Sequence, residues 1–242
     1  MTDMKTIETQ LKQAKSIIDS LITLVSNGHS ESTAIPAPIK NLHDLPDGFE
    51  SLSALQQLRV IVDRDNYVVL DTETTGLRDG EVCSISIIDK EGEVLMNELV
   101  KPTRPIPSDA TRIHGLTNLD VSEAPGWAEV APRVVDILTG KDVVVYNAVY
   151  DRKIMHKSAE YAGIEKIDWK VLSPWVCAME AFAEFYGDWN DFHQSYRWQK
   201  LSFAADHCGV AVKNAHDALG DVLMTLGIVK HMMIITPEDL PC

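Results

Sequence analysis

The sequence predicts an α/β fold, in which a mixed β-sheet is flanked by helices and preceded by an N-terminal helical appendage. Runs of β-branched residues first follow one another across a short turn and then alternate with segments of helical periodicity, a pattern typical of mixed sheets. A separate heptad repeat of apolar residues occupies the first part of the chain. With 242 residues, 45% of them hydrophobic, the chain is long enough for one core plus an appendage.

The N-terminal segment combines a heptad helix with a linker. Apolar residues recur between residues 7 and 25 at spacings that alternate between four and three, which indicates either a coiled-coil seam or a helix that docks on its own domain. Homodimerisation and docking, of a partner or within the chain, both stay open. Residues 27–48 are rich in Ser, Pro, Gly and Asn and predict a linker. A short helix at about 50–62 ends this segment, so we place the domain boundary between residues 62 and 63.

The second predicted domain, residues 63–242, begins with a strand at Tyr67. The apolar runs at 81–89 and 93–100 are separated by a Lys-Glu-Gly turn and predict a β-hairpin. The runs that follow alternate between the two types of element. They predict strands at 142–147 and 167–172, and helices near 127–138, 150–162, 174–185, 200–207 and 217–233.

Two carboxylates stand at the end of the first predicted strand. In the stretch YVVLDTETTGL, Asp71 and Glu73 are two positions apart, and because a strand alternates its faces, both side chains point the same way. Like charges at this separation repel each other unless a positive group lies between them. A divalent metal ion is the candidate, although one pair of acids does not establish it.

Further polar groups stand at the ends of other predicted elements. Asp151 lies about one helical turn beyond the strand at 142–147, and His216 and Asp221 lie five residues apart near the start of the last helix. Binding sites in open sheets form at such ends. We therefore expect these side chains to share a cleft with the first two acids.

Together the three motifs read D-x-E-T-T-G-L, N-x-x-x-D and H-x-x-x-x-D, in that order. The sequence resembles the DEDDh branch of the DnaQ-like 3′–5′ exonucleases, a superfamily that includes the proofreading subunit of bacterial replicative polymerases, ribonuclease T and the three-prime repair exonucleases. The resemblance covers about residues 67–233 and includes the segment RIHGLT at 112–117. It implies a ribonuclease H-like fold and a metal-dependent exonuclease.

The resemblance also implies roles for individual residues. Two divalent cations, Mg²⁺ or Mn²⁺, would be held by the four acids, and His216 would be the general base that takes a proton from the attacking water. Carboxylate oxygens are ligands that such hard cations prefer. The implied metal ligands are Asp71, Glu73, Asp151 and Asp221.

A second group of residues is implied to hold the terminal nucleotide. For two of them a simpler interpretation competes, a helix cap for Asn147 and an ordinary loop residue for His114. The candidates are Thr74, Thr75, Gly76, Leu77, Asn147 and His114. The chain also departs from the family pattern, since Tyr146 and Tyr150 replace a common histidine and phenylalanine of the second motif, and Ser84 replaces a common glutamate.

The charge and the aromatic residues bear on the substrate. A net charge of −14 argues against a long basic surface, so a nucleic acid contact is expected to be short and helped by metal; the alternative is that acidity only keeps the protein soluble. Half of the aromatic residues fall within residues 175–198. We expect those up to Tyr186 to be core and those of the following polar loop to stack on bases, with Arg197 and Lys200 as a local basic spot.

No sequence feature indicates a membrane or secreted protein. No apolar run approaches the ~20 residues of a membrane span, the start of the chain lacks signal-peptide character, and the four cysteines show no C-x-x-C spacing. We expect a cytoplasmic protein with no membrane association.

The resemblance leads us to expect an enzyme that releases nucleoside 5′-monophosphates from the 3′ ends of single-stranded DNA or RNA. One alternative is an exonuclease restricted to very short oligonucleotides, which the lack of a basic groove would favour. The other is a non-catalytic nucleic-acid-binding adaptor that is recruited through its N-terminal helix.

Overall fold

The structure, a computed structural model, describes residues 45–211 and 217–234 of the chain. The chain divides into two units between Ala37 and Pro38, and every described residue belongs to the second unit. The predicted heptad helix, most of the predicted linker and His216 lie outside the described residues.

Five strands form the central sheet of the described unit. The order across the sheet is β3-β2-β1-β4-β5, with antiparallel pairing between β1 and β2 and between β2 and β3, and parallel pairing between β1 and β4 and between β4 and β5. The predicted mixed sheet is confirmed. The strands are β1 (Tyr67–Thr74), β2 (Val82–Asp89), β3 (Val94–Leu99), β4 (Asp142–Val145) and β5 (Trp175–Cys177).

Helices flank this sheet, and a short hairpin follows it. Within residues 45–211 and 217–234, no helix is long and apolar enough to cross a membrane. The helices are α1 (Ala54–Asp63), α2 (Ser108–His114), α3 (Trp127–Leu138), α4 (Ala148–Tyr161), α5 (Trp169–Leu172), α6 (Ala178–Tyr186), α7 (Leu201–His207) and α8 (Ala218–Ile234), with a 3₁₀ turn at Phe49–Ser51. The hairpin pairs β6 (Trp189–Asn190) with β7 (Ser195–Tyr196).

The apolar start of β1 explains its central place. Val68, Val69 and Leu70 have no exposed surface, as expected of a strand that is covered on both faces. Helix α8 packs on β1 and β2 and against α6 and α7, while α4 packs on the same strands and against α3. Strand β1 is therefore packed against helices of two layers.

Helix α1 is an integral part of the described unit. Its N-cap residue is Ser53, whose hydroxyl donates to the carboxylate of Glu184 in α6 at 2.7 Å; the same carboxylate accepts from the next two backbone N–H groups. Leu58 and Ile61 are fully buried. The boundary we placed between residues 62 and 63 falls within α1, one residue before its end.

Two predictions at the edge of the sheet are wrong. Residues 167–172 form no strand, because the side chain of Asp168 accepts backbone hydrogen bonds from Lys170 and Val171 and so starts the single turn of α5. The edge strand is instead β5, which pairs in parallel register with β4. The helix predicted at 174–185 consequently starts at Ala178 as α6. Helix α2 and the β6–β7 hairpin had no counterpart in the sequence prediction.

Candidate active site

The candidate site lies where β1 extends beyond its parallel neighbour. Strand β4 pairs with only the first three residues of β1, whereas β2 stays paired as far as Thr74. The carboxyl end of β1 therefore borders an opening on the β4 side, and α4 begins at this same edge of the sheet. In open sheets, binding sites form where neighbouring strands diverge in this way.

Helix α8 adds a third acid to the two at the end of β1. Carboxylate oxygens of Asp71, Glu73 and Asp221 lie within 4.8 Å of one another, and all three side chains are partly buried. Asp221 belongs to the first turn of α8, the helix that packs across β1 and β2. Regular secondary structure, and not a loop, positions all three carboxylates.

Burial and mutual repulsion raise the pKa values of this cluster. The pKa of Asp71 lies well above its ordinary value because the side chain is shielded from water, and because Asp151, Asp221 and Glu73 add negative charge. The pKa of Glu73 is raised to about 7 by burial first and by the charge of Asp221 next. The charge of Asp217 contributes to both shifts.

Asp151 approaches β1 from the other face of the sheet. It lies in the first turn of α4, is buried, and its Oδ1 accepts a hydrogen bond from the Thr72 hydroxyl at 2.8 Å. Burial raises its pKa to about 7, although the hydrogen bond from Thr72 lowers it. Among the described residues, Asp151 is not one of the three acids grouped within 4.8 Å. Its charge is nevertheless the largest contribution after burial to the raised pKa of Asp71.

The chemistry of this donor set fits a divalent cation. The grouped ligand atoms are all carboxylate oxygens, which suit hard cations such as Mg²⁺ and Mn²⁺ better than the softer metals that select thiolates. The charged neighbours that shift the pKa values of Asp71 and Glu73 are all acids. A cation held among them would relieve the repulsion that the bare site sustains.

The loop after β1 is closed by reciprocal hydrogen bonds. The N–H of Thr75 donates to the carbonyl of Glu81, and the N–H of Glu81 donates to the Thr75 hydroxyl, both at 2.9 Å. A Cβ added to Gly80 would lie 2.0 Å from the carbonyl oxygen of Gly76, so this close approach requires glycine at position 80. Leu77 is held outward, with its side chain 76% exposed.

Glu81 also anchors this loop to the segment after β3. Its buried carboxylate accepts hydrogen bonds from the N–H and hydroxyl of Thr103 at 2.7 and 2.8 Å and from Nε of Arg104 at 2.9 Å. Arg104 donates in addition to the carbonyl of Asp79 and stacks over the ring of Tyr161. The loop is thus fixed at both ends, with Leu77 at its exposed tip.

Tyr150 links the acid cluster to this loop. Its hydroxyl lies 2.6 Å from Oγ1 of Thr74 and donates to the carbonyl of Gly76 at 3.4 Å. Burial raises its pKa, and the charges of Asp151 and Glu73 raise it further although the hydrogen bond with Thr74 lowers it. The departure from the family's phenylalanine therefore introduces a polar contact within the candidate site.

The remaining predicted substrate residues take distinct positions. Asn147 stands at the N-cap position of α4, but its side chain makes no capping hydrogen bond. His114 is the last residue of α2, and its Nδ1 accepts a hydrogen bond from the N–H of Leu116 at 3.1 Å, while Nε2 lies 3.9 Å from Sγ of Cys83. Because His216 lies outside the described residues, its predicted role stays a prediction.

Three residues of the site were not among the predicted ones. Thr72 was not predicted because strand alternation points its side chain away from that of Asp71. Its contact with Asp151 depends on where α4 packs against β1. Asp217 stands four positions before Asp221, a spacing that places both on one face of a helix and could have identified it. For Tyr150 the signal was the departure from the family motif.

A mixed sheet with helices on both faces and an acid cluster at the end of its central strand defines a ribonuclease H-like nuclease. Solved structures agree on the fold. E. coli exonuclease I in complex with a dA16 oligonucleotide has a TM-score of 0.60 and 18% identity, over 72% of this chain and 42% of that chain. Exonuclease X in complex with 5′ overhanging duplex DNA has a TM-score of 0.53 and 24% identity, over 72% and 96%.

The sequence comparisons place this chain within that class. Residues 68–229 match the model of the exonuclease family RNase_T, and the chain belongs to this family. An exonuclease of Escherichia phage 186, CP81, is 41% identical over 169 residues, which are 68% of this chain and 87% of the phage protein. A DNA polymerase III subunit epsilon-like protein of Rhodobacter capsulatus is 29% identical over 175 residues, but the match spans 23% of its length. The resemblance to DnaQ-like exonucleases is confirmed.

Proposed function

We propose that this exonuclease degrades single-stranded DNA or RNA from the 3′ end and releases nucleoside 5′-monophosphates. The observation that carries the proposal is the group of three carboxylates within 4.8 Å at the end of β1, with Asp151 close enough to raise the pKa of Asp71. Such a concentration of negative charge destabilises the folded protein unless it serves to hold cations. Family membership makes phosphodiester hydrolysis the chemistry that these cations would support.

The four acids would hold two divalent cations, Mg²⁺ or Mn²⁺. When bound, such a pair neutralises the charge that develops on the attacking and leaving oxygens of the phosphodiester. Asp71, Glu73 and Asp221 would be ligands from one face of the sheet, and Asp151 would be a ligand from the other. The hydrogen bond from Thr72 keeps the Asp151 carboxylate oriented toward the end of β1.

The protein's own groups would position the substrate and move the proton. His216 would accept a proton from the attacking water, because an imidazole titrates near neutral pH. The loop after β1 would hold the last nucleotide, with Leu77 as an apolar surface against its base or sugar. Asn147 and His114 would complete the substrate contacts. The 3′ polarity is taken from the family resemblance. A nucleic acid substrate is supported by the complexes of exonuclease I with a dA16 oligonucleotide and of exonuclease X with 5′ overhanging duplex DNA.

The proposal is tested by digestion of DNA and RNA strands that are labelled at the 3′ or the 5′ end, with Mg²⁺, Mn²⁺ or a chelator. We expect labelled mononucleotide to appear at once from the 3′ label, and only at the end of digestion from the 5′ label. Asp71→Ala and Asp221→Ala should each lower the rate at least ~100-fold, since metal charge stabilisation amounts to several kcal/mol.

Asp136→Ala is the matched control, because Asp136 is an exposed acid of α3 away from the acid cluster. It should retain the parent rate. Cleavage that survives chelation, or an Asp71→Ala protein as active as the parent, would refute the metal-dependent mechanism. His216→Ala should lower the rate by roughly 10²- to 10⁴-fold and remove the inflection of the pH–rate profile near neutral pH, as expected for loss of a general base.

A further inference from the structure

A basic groove runs along the outer side of α4. It encloses a volume of about 680 Å³ and is lined by Val149, Glu160 and Ile164 together with six basic residues. Those six are Arg152, Lys153, His156, Lys157, Lys166 and Lys170. Five of the 22 lysines and arginines of the chain thus line one groove of a protein whose net charge is −14.

The charges of the groove are available to a ligand. Lys153, Lys166 and Lys170 are exposed, and within the described part of the chain none of them forms an ion pair. Lys157 is the exception, since its Nζ lies 2.9 Å from the carboxylate of Glu160. The groove therefore retains a surplus of positive charge that only an anionic ligand or counterions would balance.

The groove starts beside the candidate active site. Asp151 and the groove residues Val149 and Arg152 belong to the first turns of the same helix. The groove residues on α4 extend from Val149 to Glu160, a distance of roughly 16 Å at 1.5 Å per residue. The groove thus begins at the same end of α4 as Asp151.

We propose that this α4 groove binds the phosphodiester backbone of the substrate strand, on the 5′ side of the nucleotide that is removed. The inference rests on the proposed function, because it takes the 3′ end to lie at the acids. At 3.4 Å per stacked nucleotide, ~16 Å accommodates about five phosphates. Val149, whose side chain is 62% exposed at the start of the groove, offers an apolar contact for a base or sugar.

A nucleic acid strand fits this groove better than an acidic protein segment does. The positive charges begin within one residue of an acid of the site, follow α4 and continue with Lys166 and Lys170 beyond its end, so they offer a path to a strand whose end lies at the acids. The other basic spot that the sequence suggested is weaker, because Nη1 of Arg197 lies 2.8 Å from the carboxylate of Asp188. The groove also removes the reason to favour a substrate of only a few nucleotides.

The test uses the full chain with Lys166→Gln and Lys170→Gln combined, two exposed lysines that are remote in sequence from the acids. The matched control combines Lys101→Gln and Lys230→Gln, which removes the same charge from exposed positions outside the groove. Binding of fluorescent dT12 and rU12 is measured by anisotropy in chelator, across a range of salt concentration. Hydrolysis of dT12 and of the dinucleotide dT2 is measured in Mg²⁺.

The groove variant should bind both twelve-nucleotide strands at least ~10-fold more weakly than the parent at low salt. The slope of log affinity against log salt should fall by about 1.4, since each lost phosphate contact on a single strand accounts for ~0.7. KM for dT12 should rise by a similar factor, whereas hydrolysis of dT2 should match the parent because a dinucleotide does not reach Lys166 or Lys170. The control should behave as the parent throughout.

Unchanged binding of dT12 and rU12 by the groove variant would overturn the inference. Binding of fluorescent polyglutamate as tight as that of dT12 would also overturn the inference, because that result would assign the groove to an acidic protein segment. A parent protein that binds dT12 through the groove yet hydrolyses neither substrate would instead contradict the proposed function. Anisotropy in chelator thus separates failure of the groove from failure of the catalytic site.

Discussion

Two carboxylates of the same sheet show how the surroundings of an acid indicate its use. Asp142, at the start of β4, is fully buried and bonds to Nε of Arg64 at 2.8 Å. Asp71, in the neighbouring strand, has only acids among the charged groups that shift its pKa. A buried acid that serves the fold is compensated by a cation of the protein. An acid that the protein leaves in negative surroundings is suited to a cation from solution.

Tyr150→Phe tests whether the hydroxyl that joins the acid cluster to the loop has a function. The change removes the hydrogen bonds to Thr74 and to the carbonyl of Gly76 but retains the ring. A lost hydrogen bond costs about 1 kcal/mol, which corresponds to a roughly fivefold change in an equilibrium constant. We expect KM for an oligonucleotide to rise by about fivefold as the loop loosens, with kcat changed less than about twofold.

Tyr146→Phe is the control, because it removes another tyrosine hydroxyl, which donates at 2.9 Å to the carbonyl of Gln199, a residue outside the loop after β1. Both variants should lose a similar amount of thermal stability, but only Tyr150→Phe should change KM. Equal kinetics for the two variants would show that the Tyr150 hydroxyl contributes to the fold alone.

Among the individual residues of the site, the sequence predicts the positions of those that follow from local periodicity. The convergence of Asp71 and Glu73 could be predicted because alternation along a strand is a property of the backbone. The contact between Thr72 and Asp151 could not, since it depends on how closely α4 approaches β1. The engagement of the Thr75 hydroxyl by the N–H of Glu81 depends likewise on loop closure, which no local pattern encodes.

The β6–β7 hairpin is the element that divides the aromatic segment into two parts. Phe182 and Phe185 of α6 are buried in the core, as predicted for the helical part. In the hairpin, by contrast, Phe192 is 88% exposed. Trp198, just after β7, is 66% exposed. Rings held in solvent by a paired turn offer faces on which bases can stack without regard to sequence.

Phe192→Ala and Trp198→Ala test this stacking role. Each should weaken binding of a single-stranded oligonucleotide by ~1–3 kcal/mol, the range of base–aromatic stacking, and the loss should persist at high salt because stacking involves no counterion release. The unfolding temperature should not change, because neither ring is buried. Anisotropy titrations at low and molar salt measure the effect.

Phe203→Ala is the control, since Phe203 is an exposed aromatic of α7 that contacts Tyr186 and lies outside the hairpin. It should bind the oligonucleotide as the parent does. If Phe192→Ala and Trp198→Ala also bind normally, the hairpin has no part in substrate binding, and the exposed rings require another explanation.

The elements that were predicted correctly have strong local signals, and the others depend on pairing. The buried apolar residues of α3, Trp127–Leu138, recur at helical spacing, so its bounds could be predicted from the sequence. Residues 167–172 have the composition of a strand, but the Asp168 side chain supplies a helix cap. The three residues of β5 become a strand only because β4 offers an edge with which to pair.

For the whole molecule, net charge conceals where the charges lie. A value of −14 suggested that no basic groove exists, yet Lys153, Lys157, Lys166 and Lys170 line one groove. The repeat of Val149, Arg152, His156 and Glu160 along one face of α4 was visible in the sequence. The contribution of Lys166 and Lys170 was not, because they reach the groove only through the fold.

The acid cluster should make the stability of the whole protein depend on pH and on metal. The pKa values of Glu73 and Asp151 rise from ordinary values near 4 to about 7 in the folded protein. Between these values the folded state binds more protons than the unfolded state, so stability should fall as pH rises, by up to about 1.4 kcal/mol per pH unit per group. In chelator, the unfolding temperature should therefore decrease from about pH 5 to about pH 8.

Millimolar Mg²⁺ or Mn²⁺ should reverse this decrease at high pH and have little effect near pH 5, because a cation binds the ionised carboxylates and competes with their protons. Glu73→Gln should flatten the pH dependence in chelator and reduce the stabilisation by metal, whereas Asp136→Asn on α3 should do neither. These effects are measured by calorimetric scans of the parent, Glu73→Gln and Asp136→Asn proteins at about pH 5 and about pH 8, each with metal or with chelator. A rise in unfolding temperature that is equal at both pH values would mean that the metal binds away from these carboxylates.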